Sequence, residues 1–170
     1  MTVGSAAKPV TLRVKNGAYV GSVKASPVGL YSFVVVKNQS QLSVVVSIQE
    51  QQKVDLNVKV DGSLLKFDNT SDNMALSVLN EKINALDRRL WTKDVMTGDE
   101  MKELVKGYVK AYEEIAEVGG VTEHVKNYMK VYSHARAYNA YSSFPSALKI
   151  AEASIPFSCD DVLPSPTEVF

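Results

Sequence analysis

The change in pattern that determines the fold lies within residues 53–90, KVDLNVKVDGSLLKFDNTSDNMALSVLNEKINALDRRL. Up to Phe67, apolar and polar residues alternate, which is typical of β-strands with one buried face. From Met74 onward, apolar residues recur every three or four positions, as in an amphipathic helix. Between the two patterns, residues 69–72 read Asn-Thr-Ser-Asp, a run of residue types that commonly cap helix N-termini. The sequence therefore predicts strands before about residue 70 and helices after it.

Toward the N-terminus, the same alternation appears in several short Val-rich segments separated by turn signals. Asn16-Gly17 is the strongest of these signals, because both residues tolerate the positive φ of a type I′ hairpin turn. Asp61-Gly62 is a second signal of the same kind. Strands joined in sequence by short turns predict an up-and-down antiparallel meander of five to six strands. The predicted strands are Val10–Lys15, Ala18–Ala25, Leu30–Val36, Leu42–Gln49, Lys53–Val60 and Ser63–Phe67.

The second half of the chain predicts three to four helices that pack on this sheet. Thr97 and Glu100 form a capping-box pattern that begins the second helix, and Gly119-Gly120 ends it. A third helix is predicted from Thr122 to about Tyr141, and a short fourth helix begins at Pro145, a residue favoured at the first helical position. The predicted buried stripe of the third helix consists of Val121, Val125, Tyr128, Tyr132 and Ala135. The fold class is therefore α+β.

The predicted domain organisation is simple. Residues 1–9 form a mobile arm, and residues 10–153 form a single α+β domain in which 10–70 is the meander and 71–153 is helical. Residues 154–170 form an extended, proline-containing, acidic tail. A chain of 170 residues, with 45% hydrophobic and 22% charged residues, is of the size and composition of one folded domain.

Charge and cysteine content narrow the function classes. The formal net charge is zero, which argues against a protein whose whole surface binds nucleic acid. Residues 1–70 nonetheless carry eight basic and four acidic side chains, so the sheet half is basic at +4. Cys159 is the only cysteine, which excludes an intrachain disulfide. No membrane span or signal peptide is predicted, so we expect a cytoplasmic protein, or one within a virion assembled in the cytoplasm.

Nothing in the sequence indicates catalysis. The two histidines, His124 and His134, lie ten residues apart on one predicted helix, which separates them by about 15 Å along the axis. They cannot ligate one metal ion, and His134 is predicted to face solvent. Motifs for metal, phosphate, nucleophile or dinucleotide chemistry are absent. We therefore expect a protein that is not an enzyme and has no cofactor and no metal.

The first predicted helix carries a stripe of apolar residues with spacings of 3, 4, 3 and 4, as in a coiled-coil heptad. The stripe spans only about two heptads, so two interpretations stay open: packing across the chain's own sheet, or a seam shared with a second copy. Ala75, Val78 and Ala85 widen the apolar surface, which leaves a second face after the first is buried. The oligomer-interface candidates are Leu76, Leu79, Ile83, Leu86 and Leu90.

The basic sheet half suggests a second function, binding of single-stranded RNA or DNA. Basic side chains lie at outward positions of the predicted strands, and two aromatic side chains offer stacking surfaces for unpaired bases. The competing interpretation is that the lysines protect sheet edges and that the aromatic rings belong to the core. The candidates are Arg13, Lys15, Lys53, Lys59, Tyr31 and Phe33.

The tail combines acidic residues with an apolar terminus, and its docking candidates are Asp160, Asp161, Glu168 and Phe170. Over about ten residues it is similar to the acidic, Phe-ended tip of bacterial single-stranded-DNA-binding proteins, although its prolines and sparse charge depart from that pattern. An extended peptide that docks on a neighbouring subunit accounts for the tail equally well.

These observations predict a non-enzymatic, oligomeric structural or assembly subunit, such as a virion component or an assembly cofactor. It is expected to act through protein–protein contacts, as a homodimer or a larger oligomer and with other proteins of an assembly. The alternative is a single-stranded nucleic-acid-binding protein that uses the basic sheet face.

Overall fold

The computed structural model describes residues 13–16, 18–20, 29–37, 40–48, 59–61, 64–67, 70–92, 97–148 and 157–163. These residues combine antiparallel strands in the first half with helices in the second, as the change of pattern near residue 70 predicts. No helix within them is both long enough and apolar enough to cross a lipid bilayer.

In the described part of the chain, six short or medium-length strands pair as three two-stranded antiparallel ribbons. Asn16 takes a positive φ of 53°, as the predicted Asn-Gly turn requires, and Lys15 pairs with Ala18 across it. The described residues show no hydrogen-bonded ladder that joins the ribbons into one sheet of five or six strands. The strands are β1 (Arg13–Lys15), β2 (Ala18–Val20), β3 (Leu30–Lys37), β4 (Ser40–Ser47), β5 (Lys59–Asp61) and β6 (Leu64–Lys66).

The β3–β4 hairpin is the longest ribbon, with eight residues in each strand. Its register pairs Phe33 with Val44 and Ser32 with Val45, so successive pairs face opposite sides. One face, which includes Leu30 and Val45, packs against the helical core. The other face forms a smaller core in which Val44, Val46 and Phe67 are buried.

The α-helices that the structure describes are α1 (Ser71–Thr92), α2 (Gly98–Ala116) and α3 (Glu123–Leu148). Thr70 caps α1, because its hydroxyl accepts a hydrogen bond from the backbone N–H of Asn73 at 3.1 Å. The predicted capping box of α2 is confirmed, with Thr97 and Glu100 bonding each other's backbone N–H groups. The predicted fourth helix is wrong, since α3 continues without a break through Pro145.

The main core lies where the three helices meet. Fully buried side chains of α2 and α3 surround α1, among them Tyr108, Val105 and Met129. A Cβ on Gly107 of α2 would lie 3.0 Å from Leu86 of α1, so this glycine permits the close approach of the two helices. The buried stripe of α3 differs from the predicted one, because Tyr128, Tyr132 and Ala135 are only half-buried. Its buried members from Val125 onward are Val125, Met129, Ser133, His134, Ala137 and Ala140.

Polar side chains of α1 join the helices to the strands. The amide of Asn73 accepts a hydrogen bond from the N–H of Ser47 at 2.7 Å and donates one to its carbonyl at 3.1 Å. The hydroxyl of Ser77 bonds the N–H and the carbonyl of Phe67 in the same way, at 2.9 and 3.3 Å. These side chains satisfy backbone groups that would otherwise be buried without partners. We call these hydrogen bonds of Asn73 to Ser47 and of Ser77 to Phe67 the joint, and they fix α1 against the strands.

Candidate interaction surface

The apolar stripe predicted as an oligomer interface lies in the chain's own core. Leu76, Leu79, Ile83 and Leu90 are buried and Leu86 is half-buried, all packed with side chains of α2 and α3. This burial reflects the contacts of α1 with β4, β6, α2 and α3, and the role of these five residues in an oligomer interface stays a prediction. Of the two interpretations left open by the spacing, packing within the chain is the one observed.

The opposite side of α1 carries a second seam that is exposed along its whole length. We call these residues the outer seam: Met74, Val78, Glu81, Ala85, Arg88 and Thr92. Their spacings of 4, 3, 4, 3 and 4 are those of a heptad repeat, so they form one line along the helix. Met74 and Val78 are 45% and 44% exposed and lie one turn apart, so two large apolar side chains are next to each other on this seam.

The exposed apolar surface of α1 extends beyond this seam. Trp91 is 62% exposed, the largest fraction among the large hydrophobic side chains that the structure describes. It lies in the last turn, about 100° around the helix from the middle of the outer seam. Aromatic residues are enriched at protein interfaces, so Trp91 adds to the apolar character of this end of α1.

Sequence reasoning recognised Val78 and Ala85 as a widening of the apolar surface and expected the same of Ala75, but Ala75 is buried. It missed Met74, Glu81, Arg88 and Thr92 as members of one line with Val78. A scan for a second heptad phase within the same helix would have found the line.

Charged groups between the helices are paired within the chain. Arg136 of α3 forms an ion pair with Asp87 of α1, and the hydroxyl of Tyr108 in α2 donates a hydrogen bond to the same carboxylate at 2.8 Å. Burial is the largest cause that raises the pKa of Tyr108 well above its usual range, and the hydrogen bond to Asp87 raises it further. Lys82 of α1 pairs with Glu114 of α2, and this bond lowers the pKa of Glu114. These pairs link α1 to α2 and to α3.

Asp72 supplies a further link at the start of α1. Its carboxylate accepts hydrogen bonds from the N–H and the hydroxyl of Thr122, at 2.8 and 3.0 Å, and from the hydroxyl of Ser47 at 3.3 Å. Thr122 immediately precedes α3, so one buried carboxylate ties the beginnings of two helices to β4. We interpret Asp72 as a structural residue, because all these partners belong to the joint between the layers.

The structure describes only some of the basic residues that were predicted to bind nucleic acid. Arg13 and Lys15 are exposed and, two residues apart on β1, share one face of the ribbon. Lys59 lies in β5, and Lys53 falls outside the described residues. The structure therefore brings two of the four basic side chains together.

The aromatic stacking candidates belong to a core. Tyr31 and Phe33 are half-buried and pack against the cluster of Val44, Val46 and Phe67. The ring of Phe33 meets that of Phe67 edge to face, with centroids 5.4 Å apart. The alternating strand pattern thus places Tyr31 and Phe33 on the face that carries the smaller core, and their role in stacking on bases stays a prediction.

The described part of the tail, residues 157–163, folds back onto the helices rather than extending. It contains a 3₁₀ turn at Cys159–Asp161. Leu163 is buried in the main core, and Tyr141 donates a hydrogen bond to the carbonyl of Phe157 at 3.1 Å. Asp160 and Asp161 are exposed, although Asp161 also accepts a hydrogen bond from the N–H of Ser158. Glu168 and Phe170 lie outside the described residues.

A shallow cleft of about 100 Å³ lies between the β3–β4 hairpin and the helices. The stacked rings of Tyr128 and Tyr132, whose centroids are 5.8 Å apart, form part of its wall. Burial raises the pKa of both hydroxyls, so both are neutral at physiological pH. The volume is well below the roughly 300 Å³ or more of typical cofactor pockets.

The histidines do not form a site. His124 is exposed, whereas His134 is buried, contrary to the prediction that it faces solvent. Its Nδ1 lies 2.8 Å from the carbonyl oxygen of Lys130, and its ring packs near that of Tyr112. In the part of the chain that the structure describes, no three His, Cys, Asp or Glu side chains come together as metal ligands would.

Comparisons with protein-family models, with curated protein sequences and with solved structures find no match to this chain.

Proposed function

We propose that this chain is a non-enzymatic, oligomeric structural or assembly subunit that acts through protein–protein contacts. The observation that carries the proposal is the exposure of Met74 and Val78 on the outer side of α1. The stripe from Leu76 to Leu90 on the inner side of the same helix supplies the core, whereas almost half of the surface of Met74 and of Val78 stays in contact with water. Contact with another protein would remove them from water, with a gain of about 25 cal/mol for each Å² of apolar surface.

The setting that we propose is an assembly formed in the cytoplasm, such as a virion, in which the chain is a component or an assembly cofactor. In such a setting it meets many copies of itself together with other proteins of the assembly. As part of the same proposal, the three ribbons belong to one meander of five to six strands, which gives the helices a continuous support.

The test of the proposal is the molecular mass of the full chain in solution. Size-exclusion chromatography with light scattering, over a series of concentrations, is expected to show a mass that rises from one chain toward two or more. A mass of one chain at every concentration, together with no capture of the chain by its own immobilised copy, would contradict the oligomeric subunit.

A second candidate function is binding of single-stranded RNA or DNA, favoured by the exposure of Arg13 and Lys15 on one face of β1. Phosphate contacts would make the affinity fall steeply with salt concentration. Replacing both residues by glutamine is expected to weaken binding of a labelled single-stranded RNA at low salt, whereas Lys110→Gln, an exposed lysine of α2, leaves it unchanged. Absence of binding by the wild-type chain at low salt would remove this candidate.

A further inference from the structure

We infer that the C-terminal end of α1 binds single-stranded nucleic acid, with the ring of Trp91 stacked on an unpaired base and the guanidinium groups of Arg88 and Arg89 bonded to phosphates. The inference goes beyond the proposed oligomeric subunit, and it concerns a different element from the β1 residues of the second candidate function. Three features carry it: two arginines whose charges are open to a ligand, an exposed tryptophan beside them, and a local excess of basic residues.

The charges of the two arginines are open to a ligand. Asp87, which directly precedes them on α1, is paired with Arg136 of α3. Arg88 and Arg89 are exposed, and neither forms an ion pair with any residue that the structure describes. A guanidinium group presents its N–H donors in a planar fork that fits phosphate oxygens. The end of α1 therefore offers two such groups to a negatively charged ligand.

Trp91 lies beside this charge. It follows Arg88 by three residues, so the two side chains are neighbours on the helix surface, whereas Arg89 projects about 100° away from Arg88. Trp91 is 62% exposed, so its ring is accessible for stacking. A nucleotide carries a flat aromatic base and a negative phosphate together, and it matches both side chains. An apolar protein surface would match the ring but leave the adjacent guanidinium without a partner.

The sequence at this end of α1 is basic within an acidic half of the chain. Residues 71–170 carry 11 basic and 15 acidic side chains, yet residues 88–93 read Arg-Arg-Leu-Trp-Thr-Lys, with three basic members and no acidic one. Basic residues at the end of a helix also compensate the helix dipole, but that effect does not need an exposed tryptophan among them. Basic and aromatic residues together suit a single strand, whose base faces are free, rather than a duplex, which hides them in its stack.

The fluorescence of Trp91 tests the inference directly, because this residue is the only tryptophan of the chain. A short oligouridylate is titrated into the full-length protein at low salt, and stacking is expected to quench the emission until the site is saturated. Two phosphate contacts predict that the dissociation constant rises about sevenfold between about 50 and 200 mM salt.

Variants with matched charge identify the residues that bind. Replacing both Arg88 and Arg89 by glutamine is expected to weaken binding about tenfold and to remove most of the salt dependence. Lys110→Gln combined with Lys126→Gln lowers the net charge by the same amount on α2 and α3, and should leave the affinity unchanged. Trp91→Ala, measured by the anisotropy of a labelled oligouridylate, should weaken binding about tenfold through loss of the stack. Circular dichroism checks that each variant keeps its helices.

Each outcome supports or overturns this site. Saturable quenching that the arginine variant weakens and the lysine control does not would support it. No quenching at low salt, or equal affinities of the arginine variant and the control, would overturn it, and loss of binding on replacing Arg13 and Lys15 alone would assign the binding to β1 instead. A blue shift of the Trp91 emission with rising protein concentration, without any response to the oligonucleotide, would also overturn it in favour of a protein contact. The proposed oligomeric subunit is tested separately, by the mass of the chain in solution.

Discussion

The two sides of α1 have similar heptad spacing and opposite environments. The inner stripe, from Leu76 to Leu90, is built of leucine and isoleucine and is mostly buried, whereas the outer seam, from Met74 to Thr92, is exposed throughout. Free energy of burial scales with apolar area, so the side with the larger aliphatic side chains goes into the core of its own chain. The lesson is that heptad spacing identifies a face that can pack but not the partner that it packs against.

The largest expected effect is a difference in the free energy of unfolding between variants on the two sides of α1. Leu79→Ala removes a fully buried side chain and should lower the free energy of unfolding by about 2–5 kcal/mol. Val78→Ala, at the adjacent but exposed position, should change it by less than about 0.5 kcal/mol at concentrations where the chain is monomeric. Urea unfolding followed by circular dichroism measures both. Equal losses in the two variants would contradict the assignment of inner and outer sides.

The next largest change in the free energy of unfolding is expected from removing the joint between α1 and the strands. Asn73→Ala leaves the N–H and the carbonyl of Ser47 without their side-chain partners, and we expect a loss of about 1–3 kcal/mol in the free energy of unfolding. Asn139→Ala, at an exposed position of α3, is the matched control and should be nearly neutral. The same urea titration compares them, and a neutral Asn73→Ala would show that the joint does not stabilise the fold.

The loop before α3 offers a comparison of adjacent glycines. Gly120 has a φ of +82°, and a Cβ there would lie 2.9 Å from the hydroxyl oxygen of Ser71 at the start of α1. Gly120→Ala should therefore cost about 1 kcal/mol or more. Gly119 has no atom within 4 Å of such a Cβ, so Gly119→Ala should not destabilise. The melting temperatures of the two variants measure this difference in stability. Equal melting temperatures would exclude a strained contact of residue 120 with α1.

The smallest effect concerns Tyr108 at high pH. Its pKa is raised, so the fold favours the neutral hydroxyl, and this contribution is present below the ordinary tyrosine pKa of about 10 and lost as the pH rises above it. Tyr108→Phe should lose about 1 kcal/mol at neutral pH, because Asp87 keeps its ion pair with Arg136. The variant should also show a weaker loss of stability above pH 10. Urea unfolding at several pH values, with tyrosinate absorbance, measures both; identical pH profiles would contradict the assignment.

Local signals in the sequence predict much of this fold. The Asn16-Gly17 hairpin, the Thr97–Glu100 capping box and the three long helices depend on contacts between near neighbours, and the structure contains all of them. Pro145 is a failure of the same reasoning. Proline is favoured at a helix start, but its position in the chain does not reveal whether an existing helix continues through it.

The remaining differences between the predicted and the observed structure are explained by contacts between residues that are distant in sequence. On α3, the tyrosines look like the core stripe, yet small and polar residues such as Ser133 and Ala137 are the buried ones, because helices that pack closely need small side chains between them. His134 is also buried on this stripe, where its Nδ1 has a partner in the carbonyl oxygen of Lys130. The docking of Phe157 and Leu163 on the helices also depends on a surface that exists only once the helices have assembled. The inner and outer sides of α1 could likewise not be distinguished before the fold was known.

The most direct test of the account is the mass of Val78→Asp compared with that of the wild-type chain. The variant places a carboxylate in the middle of the exposed apolar surface of α1 without touching the inner stripe. We predict that sedimentation equilibrium shows self-association of the wild-type chain and a folded monomer for Val78→Asp, with similar free energies of unfolding per chain. A variant that associates as strongly as the wild type would contradict the claim that the outer side of α1 joins copies of this protein.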